Sequence, residues 1–319
     1  VDLLSHVPDS FLKKLGIQKN IMHLITLEQQ QELLFALAEE QISVEIAAGG
    51  SGANSMIGIS QLGGTSAFSG KIGRDEHGKL YREKLEALGV SDCLAEGEGA
   101  TGSSLILVSE DGARTMNTFL GMSQELMNPD IDPDIIQSSK YLYLTGYLWD
   151  TESQKKAVLN ALDEAKKREI KVALSLSDPF CVTRHKEDFI NLLKGYASMV
   201  FCNQEEAFTL LDTEITQKAV ETLSDWTETA ALTIGAYGAL ISHQGETCYI
   251  DPLPVRVEDT TGAGDAFAAG FLYGMTHDMS PLDSGRIGAT LAAAVIGQTG
   301  PRYLGNARKL IQEKLGIIL

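Results

Sequence analysis

Between residues 140 and 234, short apolar runs that favour β-strands alternate with longer polar stretches that favour helices. The strand-like runs are 140–145, 171–177, 198–202 and 230–234, and the helical stretches are 152–168, 185–194, 204–211 and 214–224. Strands separated by helices of roughly 10 to 15 residues are typical of βαβ units. Such units restrict the fold strongly, because their strands form a parallel sheet that helices must cover. We therefore predict an α/β fold with a mostly parallel central sheet.

The rest of the chain indicates further helices and one departure from this alternation. Helices are expected at 52–62, 76–88, 262–277, 281–297 and 305–316. The segment 101–119 instead indicates a β-hairpin whose turn is 110–112. Neither this hairpin nor residues 4–29 fit the βαβ pattern. We predict one domain, 1–319, with a small β-rich lid formed by roughly 4–29 and 99–119.

The charge balance excludes some classes of function. Asp and Glu number 43 against 26 Lys and Arg, which gives a formal net charge of −17. Because so acidic a protein repels a phosphate backbone, we expect no nucleic-acid partner. No stretch approaches the roughly 18 apolar residues that a membrane-spanning helix needs, so we expect no membrane partner either.

The cysteines and histidines indicate neither disulfides nor a metal centre. The four cysteines, at 93, 181, 202 and 248, form no CxxC pair, and the six histidines form no HExxH motif. Scattered cysteines of this kind are typical of reduced thiols. The residues that follow Val1 lack the basic and apolar segments of a signal peptide. We therefore expect a cytoplasmic location.

The most informative motif is the string DTTGAGDAF at 259–267. We expect a strand before it, at 249–257, and a helix of small residues after it. Gly262 and Gly264 leave the N–H groups of the first helical turn open to an anion, which the helix dipole also attracts. Asp265 would repel a phosphate there, unless it is the general base that takes a proton from the attacking nucleophile. The motif therefore predicts phosphoryl transfer; the alternative is a capped helix start with glycines for close packing.

Two glycines near the N-terminus form a second candidate site. Gly49 and Gly50 precede a helix whose first turn contains Asn54, and a ligand can approach a glycine backbone closely. A purely structural turn is the alternative. In the GRDEHG stretch at 73–78 we predict that Asp75 is a helix cap.

Two further patterns have both a functional and a structural interpretation. Asn203 and Glu206 stand at i and i+3 where a strand ends and a helix begins, so their side chains face one side. They form either part of a polar site or a helix cap with a solvated acid. Gly235 and Gly238 lie between two β-prone runs, where a simple hairpin is the alternative to a ligand-binding turn. A Walker A loop and a GxGxxG fingerprint are absent.

Together these motifs resemble those of the ribokinase-like (PfkB) carbohydrate and nucleoside kinases, in the same order and over nearly the whole chain. The matching strings are GGSGAN at 49–54, NQEE at 203–206, TIGAYG at 233–238 and DTTGAGDAF at 259–267. The resemblance implies a three-layer α/β/α domain with a mostly parallel central sheet and a small β-rich lid. It also implies an ATP-dependent kinase that uses Mg²⁺ and has an alcohol group as its acceptor.

The resemblance implies a role for individual residues as well. The catalytic set would be the base Asp265 and the anion-binding turn of Gly262, Ala263 and Gly264. The acceptor would be bound by Asp2, Gly50, Ser51, Asn54, Tyr147 and Arg114. ATP and Mg²⁺ would be bound by Asn203, Glu206, Thr233, Gly235 and Gly238, with Glu206 holding Mg²⁺ through water. Family members can also bind K⁺ through backbone oxygens, for which the candidates here are Asp259 and Thr261.

Shorter stretches resemble the adenosine kinases within that family. These stretches are FLKKLG at 11–16, TGYL at 145–148 and LSLSDPF at 174–180. In such an enzyme Tyr147 would stack on the purine, and Arg114 would be a lid arginine near the phosphates. The sequence departs from those kinases at Ser175, where they have Asn, and at Tyr147, where they have Phe.

We therefore predict phosphorylation of a primary hydroxyl, the 5′-OH of adenosine or a related nucleoside, by a monomer or homodimer. One alternative is a kinase of the same family that acts on ribose, fructose or a sugar acid. The alternative from another class is a non-catalytic relative that binds a nucleoside or sugar without turnover.

Overall fold

The structure, a computed structural model that describes residues 1–319, contains thirteen β-strands and twelve α-helices. The strands are β1 (Asp2–His6), β2 (Met22–Leu24), β3 (Glu45–Ala47), β4 (Ser66–Gly73), β5 (Val90–Gly97), β6 (Ser103–Val108), β7 (Arg114–Phe119), β8 (Tyr141–Thr145), β9 (Lys171–Ser175), β10 (Met199–Asn203), β11 (Thr229–Thr233), β12 (Ala239–His243) and β13 (Glu246–Ile250). The helices are α1 (Asp9–Lys14), α2 (Leu27–Glu39), α3 (Ser51–Gln61), α4 (Glu76–Ala87), α5 (Pro133–Gln137), α6 (Glu152–Lys167), α7 (Pro179–Gly195), α8 (Gln204–Leu211), α9 (Thr216–Trp226), α10 (Ala263–Thr276), α11 (Pro281–Ile296) and α12 (Ala307–Leu315). None of the helices has the length and the apolar character needed to cross a membrane.

A six-stranded sheet in the order β13-β12-β11-β10-β9-β8 forms the centre of the fold. Strands β8 to β11 are parallel, whereas β12 and β13 continue the sheet as antiparallel strands. The predicted α/β class with a mostly parallel central sheet is therefore confirmed. The carboxyl ends of the four parallel strands meet at one edge of the sheet, where open α/β sheets bind their ligands.

Helices cover both faces of this sheet, as the three-layer prediction requires. In β10, Val200 belongs to the core under α6 to α9, whereas Phe201 belongs to the core under α3 and α10 to α12. Successive side chains of a strand point to opposite faces, so a strand buried on both faces is continuously apolar. This burial explains why the central strands appear in the sequence as short apolar runs.

A second sheet, in the order β2-β7-β6-β1-β3, lies outside the central layers. It contains the predicted hairpin, since β6 and β7 pair antiparallel around a turn that the Ser109 N–H closes by donating to the Ala113 carbonyl at 2.9 Å. A small core that includes Leu3, Phe11 and Leu37 packs beneath it. The segments 4–29 and 99–119 lie largely in this sheet and its helix α1, and β3 and α2 also belong to it. That this sheet acts as a lid stays a prediction.

One boundary expected from the sequence is wrong. The strand expected at 249–257 ends at Ile250, because Pro252 and Pro254 cannot donate to a neighbouring strand. The helix expected at 185–194 corresponds to the part of α7 that follows a kink at His185. The part before the kink was not predicted; it begins at Pro179, where the Asp178 carboxylate accepts a hydrogen bond from the Cys181 N–H at 2.8 Å.

Candidate active site

The N-terminus of α10 exposes backbone N–H groups. The N–H groups of Gly264 and Asp265 donate to no acceptor in the protein. A Cβ added at Gly264 would meet no atom within 4 Å, so a ligand can approach this backbone freely. The Ala263 N–H, in contrast, already donates to the Thr260 carbonyl at 3.2 Å. Two free N–H groups at the positive end of a helix dipole fit a phosphate group.

Gly262 gives this turn its shape. Its φ of +78° lies in the left-handed region, which favours glycine. A Cβ at this position would stand 2.2 Å from the Pro301 carbonyl oxygen. Gly262 is therefore required by the backbone itself, because any side chain here would push the turn away from the loop that contains Pro301.

The Asp265 carboxylate lies between α10 and α3. Its Oδ1 accepts a hydrogen bond from the Ser51 hydroxyl at 2.6 Å, and its Oδ2 accepts one from the Asn54 amide at 3.0 Å. Burial raises the pKa of this carboxyl above its usual range, while the two hydrogen bonds act in the opposite direction. A fixed carboxylate with a raised pKa beside free N–H donors has the properties of a general base.

Small residues bring α3 and α10 close enough for these hydrogen bonds. A Cβ added at Gly58 of α3 would stand 2.6 Å from the Ala269 Cβ of α10. On its other side α10 approaches α11 equally closely, since a Cβ at Gly270 would stand 2.6 Å from the Gly288 Cα. The sequence predicted Ser51 and Asn54 as acceptor-binding residues; the structure places both side chains on Asp265, and the Asn54 Oδ1 is buried without a partner.

A cavity of about 840 Å³ lies between the free edges of β4 and β8 and reaches the first turn of α3. Its walls include four of the six predicted acceptor-binding residues: Asp2, Gly50, Ser51 and Tyr147. The Asp2 carboxylate lies directly over Gly49, where an added Cβ would stand 2.1 Å from its carbon. The Tyr147 ring is 41% exposed, and its hydroxyl donates to the Ser177 carbonyl at 3.4 Å.

Asn203 and Glu206 form a reciprocal cap at the start of α8. The Asn203 side chain accepts from the Glu206 N–H at 2.8 Å, and the Glu206 carboxylate accepts from the Asn203 N–H at 3.0 Å and from its side-chain amide at 2.6 Å. The cap interpretation is thus confirmed, but the acid is not solvated, since Glu206 is 5% exposed. Burial raises its pKa to about 7, and the nearby negative charge of Asp178 adds to this effect.

Thr233, Gly235 and Gly238 lie at the end of β11, on the same edge of the sheet. They belong to a tight turn that connects β11 to the antiparallel strand β12, so the hairpin interpretation is confirmed. A Cβ at Gly238 would stand 2.0 Å from the Ile250 carbonyl, whereas one at Gly235 would meet nothing within 4 Å. Gly238 is therefore needed for the turn itself, and Gly235 leaves open space beside it.

The Asp259 carboxylate receives three donors. It forms an ion pair with Arg114 at the start of β7, and it accepts hydrogen bonds from the Thr261 N–H at 3.0 Å and from the Gly300 N–H at 2.8 Å. The structure brings the side chains of Arg114 and Asp259 together. The place of Arg114 near the phosphates and the backbone of Asp259 as a ligand of K⁺ stay predictions.

Sequence reasoning did not identify the half-buried Arg302. Its Nη1 is buried without a hydrogen-bond partner. Burial raises the pKa of Asp2, and the positive charge of Arg302 lowers it. A single arginine near the C-terminus gives no pattern that could have revealed this position. Asp75 was predicted correctly as a cap, because its carboxylate accepts from the Gly78 N–H at 2.8 Å.

Known structures with this architecture include two that are clearly related in sequence. The adenosine kinase from Sinorhizobium meliloti is 35% identical with a TM-score of 0.87, over 98% of this chain and 95% of that one. A probable sugar kinase from Rhizobium etli is also 35% identical, with a TM-score of 0.88, over 98% of this chain and 94% of that one.

Sequence comparison gives the same grouping. An uncharacterized sugar kinase from Archaeoglobus fulgidus is 29% identical over 251 residues, which are 77% of this chain and 97% of that protein. Residues 19–307 match the pfkB family carbohydrate kinases, which is most of the chain. The chain therefore belongs to the PfkB family of carbohydrate kinases, and it is an ATP-dependent kinase whose acceptor is a hydroxyl group of a sugar or nucleoside.

Proposed function

We propose that the acceptor is the 5′-hydroxyl of a purine nucleoside such as adenosine. The observation that supports this best is Tyr147, an aromatic ring on the wall of the cavity that Asp2 and Gly50 also line. A nucleoside needs two kinds of surface, a carboxylate for its ribose hydroxyls and a flat apolar surface for its base. Asp2 and Tyr147 provide one of each, and a cavity of about 840 Å³ has room for both parts of the ligand.

In this proposal the chain's own groups perform the proton transfer and stabilise the charge. Asp265, which Ser51 and Asn54 hold in place, takes the proton of the acceptor hydroxyl. The free N–H groups of Gly264 and Asp265 receive the negative charge that develops on the transferred phosphoryl group.

The residues at this edge of the sheet also fit ATP and Mg²⁺. Bound ATP supplies the phosphoryl group, and Mg²⁺ neutralises part of its charge. The exposed backbone at Gly264 fits the phosphates, as described above. Glu206 fits an ion held through water, because each of its oxygens accepts a single hydrogen bond and keeps a lone pair free.

A sugar kinase is the second candidate, and the names of two relatives favour it. The probable sugar kinase from Rhizobium etli is as similar to this chain as the adenosine kinase from Sinorhizobium meliloti. A sugar acceptor would use Asp2 and Asp265 in the same way but would leave Tyr147 without a base to contact. The two candidates therefore differ most at Tyr147.

Steady-state kinetics with adenosine, ribose and fructose distinguish the two candidates. Tyr147→Ala is expected to raise the KM for adenosine about 5- to 150-fold, since aromatic stacking contributes roughly 1–3 kcal/mol per base. Ribose has no base, so its turnover should barely change. Tyr147→Phe is the matched control: it keeps the ring and removes only the hydroxyl, and we expect adenosine kinetics close to wild type.

Asp2→Ala tests the ribose side of the same pocket. It should impair adenosine and ribose alike, because both present ribose hydroxyls to that carboxylate. If fructose or ribose exceeds adenosine in kcat/KM, or if Tyr147→Ala leaves the KM for adenosine unchanged, the nucleoside proposal is wrong.

A further inference from the structure

The ion pair between Arg114 and Asp259 joins the outer sheet to the candidate active site. Arg114 begins β7, and Asp259 begins the loop that leads into α10. The two side chains are 12% and 8% exposed, so the pair is almost completely removed from solvent. A buried guanidinium–carboxylate pair is costly to break, because either partner alone would leave a buried charge.

Asp259 also fixes the two loops that shape the anion-binding turn. Its carboxylate accepts from the Thr261 N–H on one side and from the Gly300 N–H on the other. The carbonyl of Pro301, the residue after Gly300, lies against Gly262. The position of Asp259 therefore determines where the free N–H groups of Gly264 and Asp265 point.

The surroundings of Asp259 disfavour a bound K⁺ ion. The backbone oxygens of Asp259 and Thr261 are the expected ligands, but the carboxylate that would balance the charge of such an ion already faces three N–H donors. The guanidinium already neutralises the charge of this carboxylate. A second cation beside this ion pair would be repelled by the guanidinium.

We propose that Arg114 is a positioning residue that takes the place of a bound cation. It holds Asp259, and Asp259 in turn holds the anion-binding turn, so that phosphoryl transfer needs no K⁺. The proposal rests on the role proposed above for the turn at 262–265. It differs from the sequence expectation, in which Arg114 binds the acceptor.

The Arg114→Met substitution makes the proposal testable. Methionine keeps much of the length of the side chain but leaves Asp259 as an uncompensated buried carboxylate beside the site where the phosphoryl group is transferred. That charge would repel the phosphoryl group and free the carboxylate to bind a monovalent ion. The variant should therefore be impaired without K⁺ and improved by it.

The assay compares KCl with choline chloride at equal ionic strength, using the acceptor with the highest turnover in the panel above. In wild type, kcat should agree within twofold between the two salts. In Arg114→Met, kcat should fall at least tenfold in choline and recover at least threefold in 100 mM K⁺, while the KM of the acceptor stays within threefold. Arg114→Lys should retain more kcat in choline than Arg114→Met. Arg286→Met, which removes an exposed arginine of α11, is the matched control.

Thermal unfolding without substrates gives a readout that does not depend on turnover. K⁺ should raise the Tm of Arg114→Met but not that of wild type, because an ion that binds only the folded state stabilises it. Arg114→Met/Asp259→Asn should be more stable than Arg114→Met, since it removes the unpaired charge, and it should not respond to K⁺. This double variant also covers the case in which Arg114→Met alone fails to fold.

Four results would overturn the proposal. Activation of wild type more than twofold by K⁺ would show an ion site beside Arg114. Wild-type kcat in Arg114→Met would show that Arg114 positions nothing, and a rise in acceptor KM alone would make it an acceptor-binding residue. A loss that K⁺ does not relieve in kcat or Tm would show that the guanidinium does not take the place of an ion. Asp265→Asn is assayed in parallel: wild-type turnover there counts against the proposed site itself, not against Arg114.

Discussion

Replacing Glu206 by glutamine tests a buried carboxyl group with a strongly raised pKa at the candidate active site. Glu206 is 5% exposed and lies at the start of α8, where its carboxylate accepts two hydrogen bonds from Asn203. Burial raises its pKa from 4.5 to about 7, the hydrogen bond from the Asn203 backbone lowers it, and the charge of Asp178 raises it. Glutamine has the same size and cannot ionise, so the substitution removes the charge with little change in shape.

The expected effect on stability follows from the sign of this pKa change. Below pH 4.5 the carboxyl is protonated in both the folded and the unfolded chain, and its favourable contribution to folding is fully present. Between pH 4.5 and about 7 the unfolded chain loses the proton while the folded chain keeps it. The contribution of Glu206 to the free energy of unfolding should therefore fall by about 3 kcal/mol across this window, at about 1.4 kcal/mol per pH unit. Glu206→Gln should lack this contribution.

Urea unfolding of wild type and Glu206→Gln from pH 4.5 to 8 measures the effect directly. The quantity of interest is the difference in the free energy of unfolding between the two proteins, which should shift by about 3 kcal/mol in favour of the variant as the pH rises. Glu221→Gln, at an exposed position of α9, is the control and should show no such shift. A difference that is constant with pH would refute the reasoning, because Glu206 would then ionise as an ordinary glutamate does. The same variant should need more Mg²⁺ for half-maximal activity, with the acceptor KM unchanged.

Three other substitutions test the start of α10. Asp265→Asn should lower kcat at least 10²-fold, since general-base catalysis contributes about 10²- to 10⁴-fold. The affinities for ATP and the acceptor should stay within a few-fold of wild type. A kcat above a tenth of wild type in a coupled ADP assay would exclude the base role. Because the base must be ionised and burial raises its pKa, wild-type kcat should fall on acidification at a pH above the usual aspartate range. Gly262→Ala should lower both Tm and kcat, since its Cβ would stand 2.2 Å from the Pro301 carbonyl. Gly264→Ala should keep or raise the Tm, because no atom lies within 4 Å of the new Cβ and alanine favours helices. It should nevertheless weaken ATP binding in a calorimetric titration. Unchanged ATP binding would contradict the phosphate role of this backbone.

The central sheet could be predicted because its strands are apolar on both faces. Val200 and Phe201 contribute to different cores, so the run around them is continuously hydrophobic and cannot be mistaken for a surface strand. The end of β13 was missed because the residues after it are still β-prone, whereas pairing stops where prolines remove the N–H donors. The part of α7 before the kink at His185 was missed because a cap and a proline, not apolar periodicity, determine where it begins.

The candidate site was predictable only where its residues stand in one short motif. The free N–H groups near Gly264 follow from the local string GAGD, whose physical properties do not depend on the rest of the chain. Arg114 and Asp259 are 145 residues apart, and a single sequence contains no information about which distant side chains pair. The resemblance to a family placed Arg114 near the site, but its partner became apparent only from the folded chain. The same limit applies to Ser51, whose hydroxyl donates to a carboxylate 214 residues away.

The structural and functional interpretations of the glycine motif apply to different residues of it. Gly262 has a left-handed backbone and no room for a Cβ, so the turn requires it whether or not a ligand binds. Gly264 has an ordinary helical backbone and open space around it, so the fold gives no reason for a glycine there. Glycine in place of alanine destabilises a helix by about 1 kcal/mol, and no packing contact at Gly264 offsets this loss. The remaining reason is access to the backbone, and this makes Gly264, more than Gly262, the residue whose presence argues for an anion at this turn.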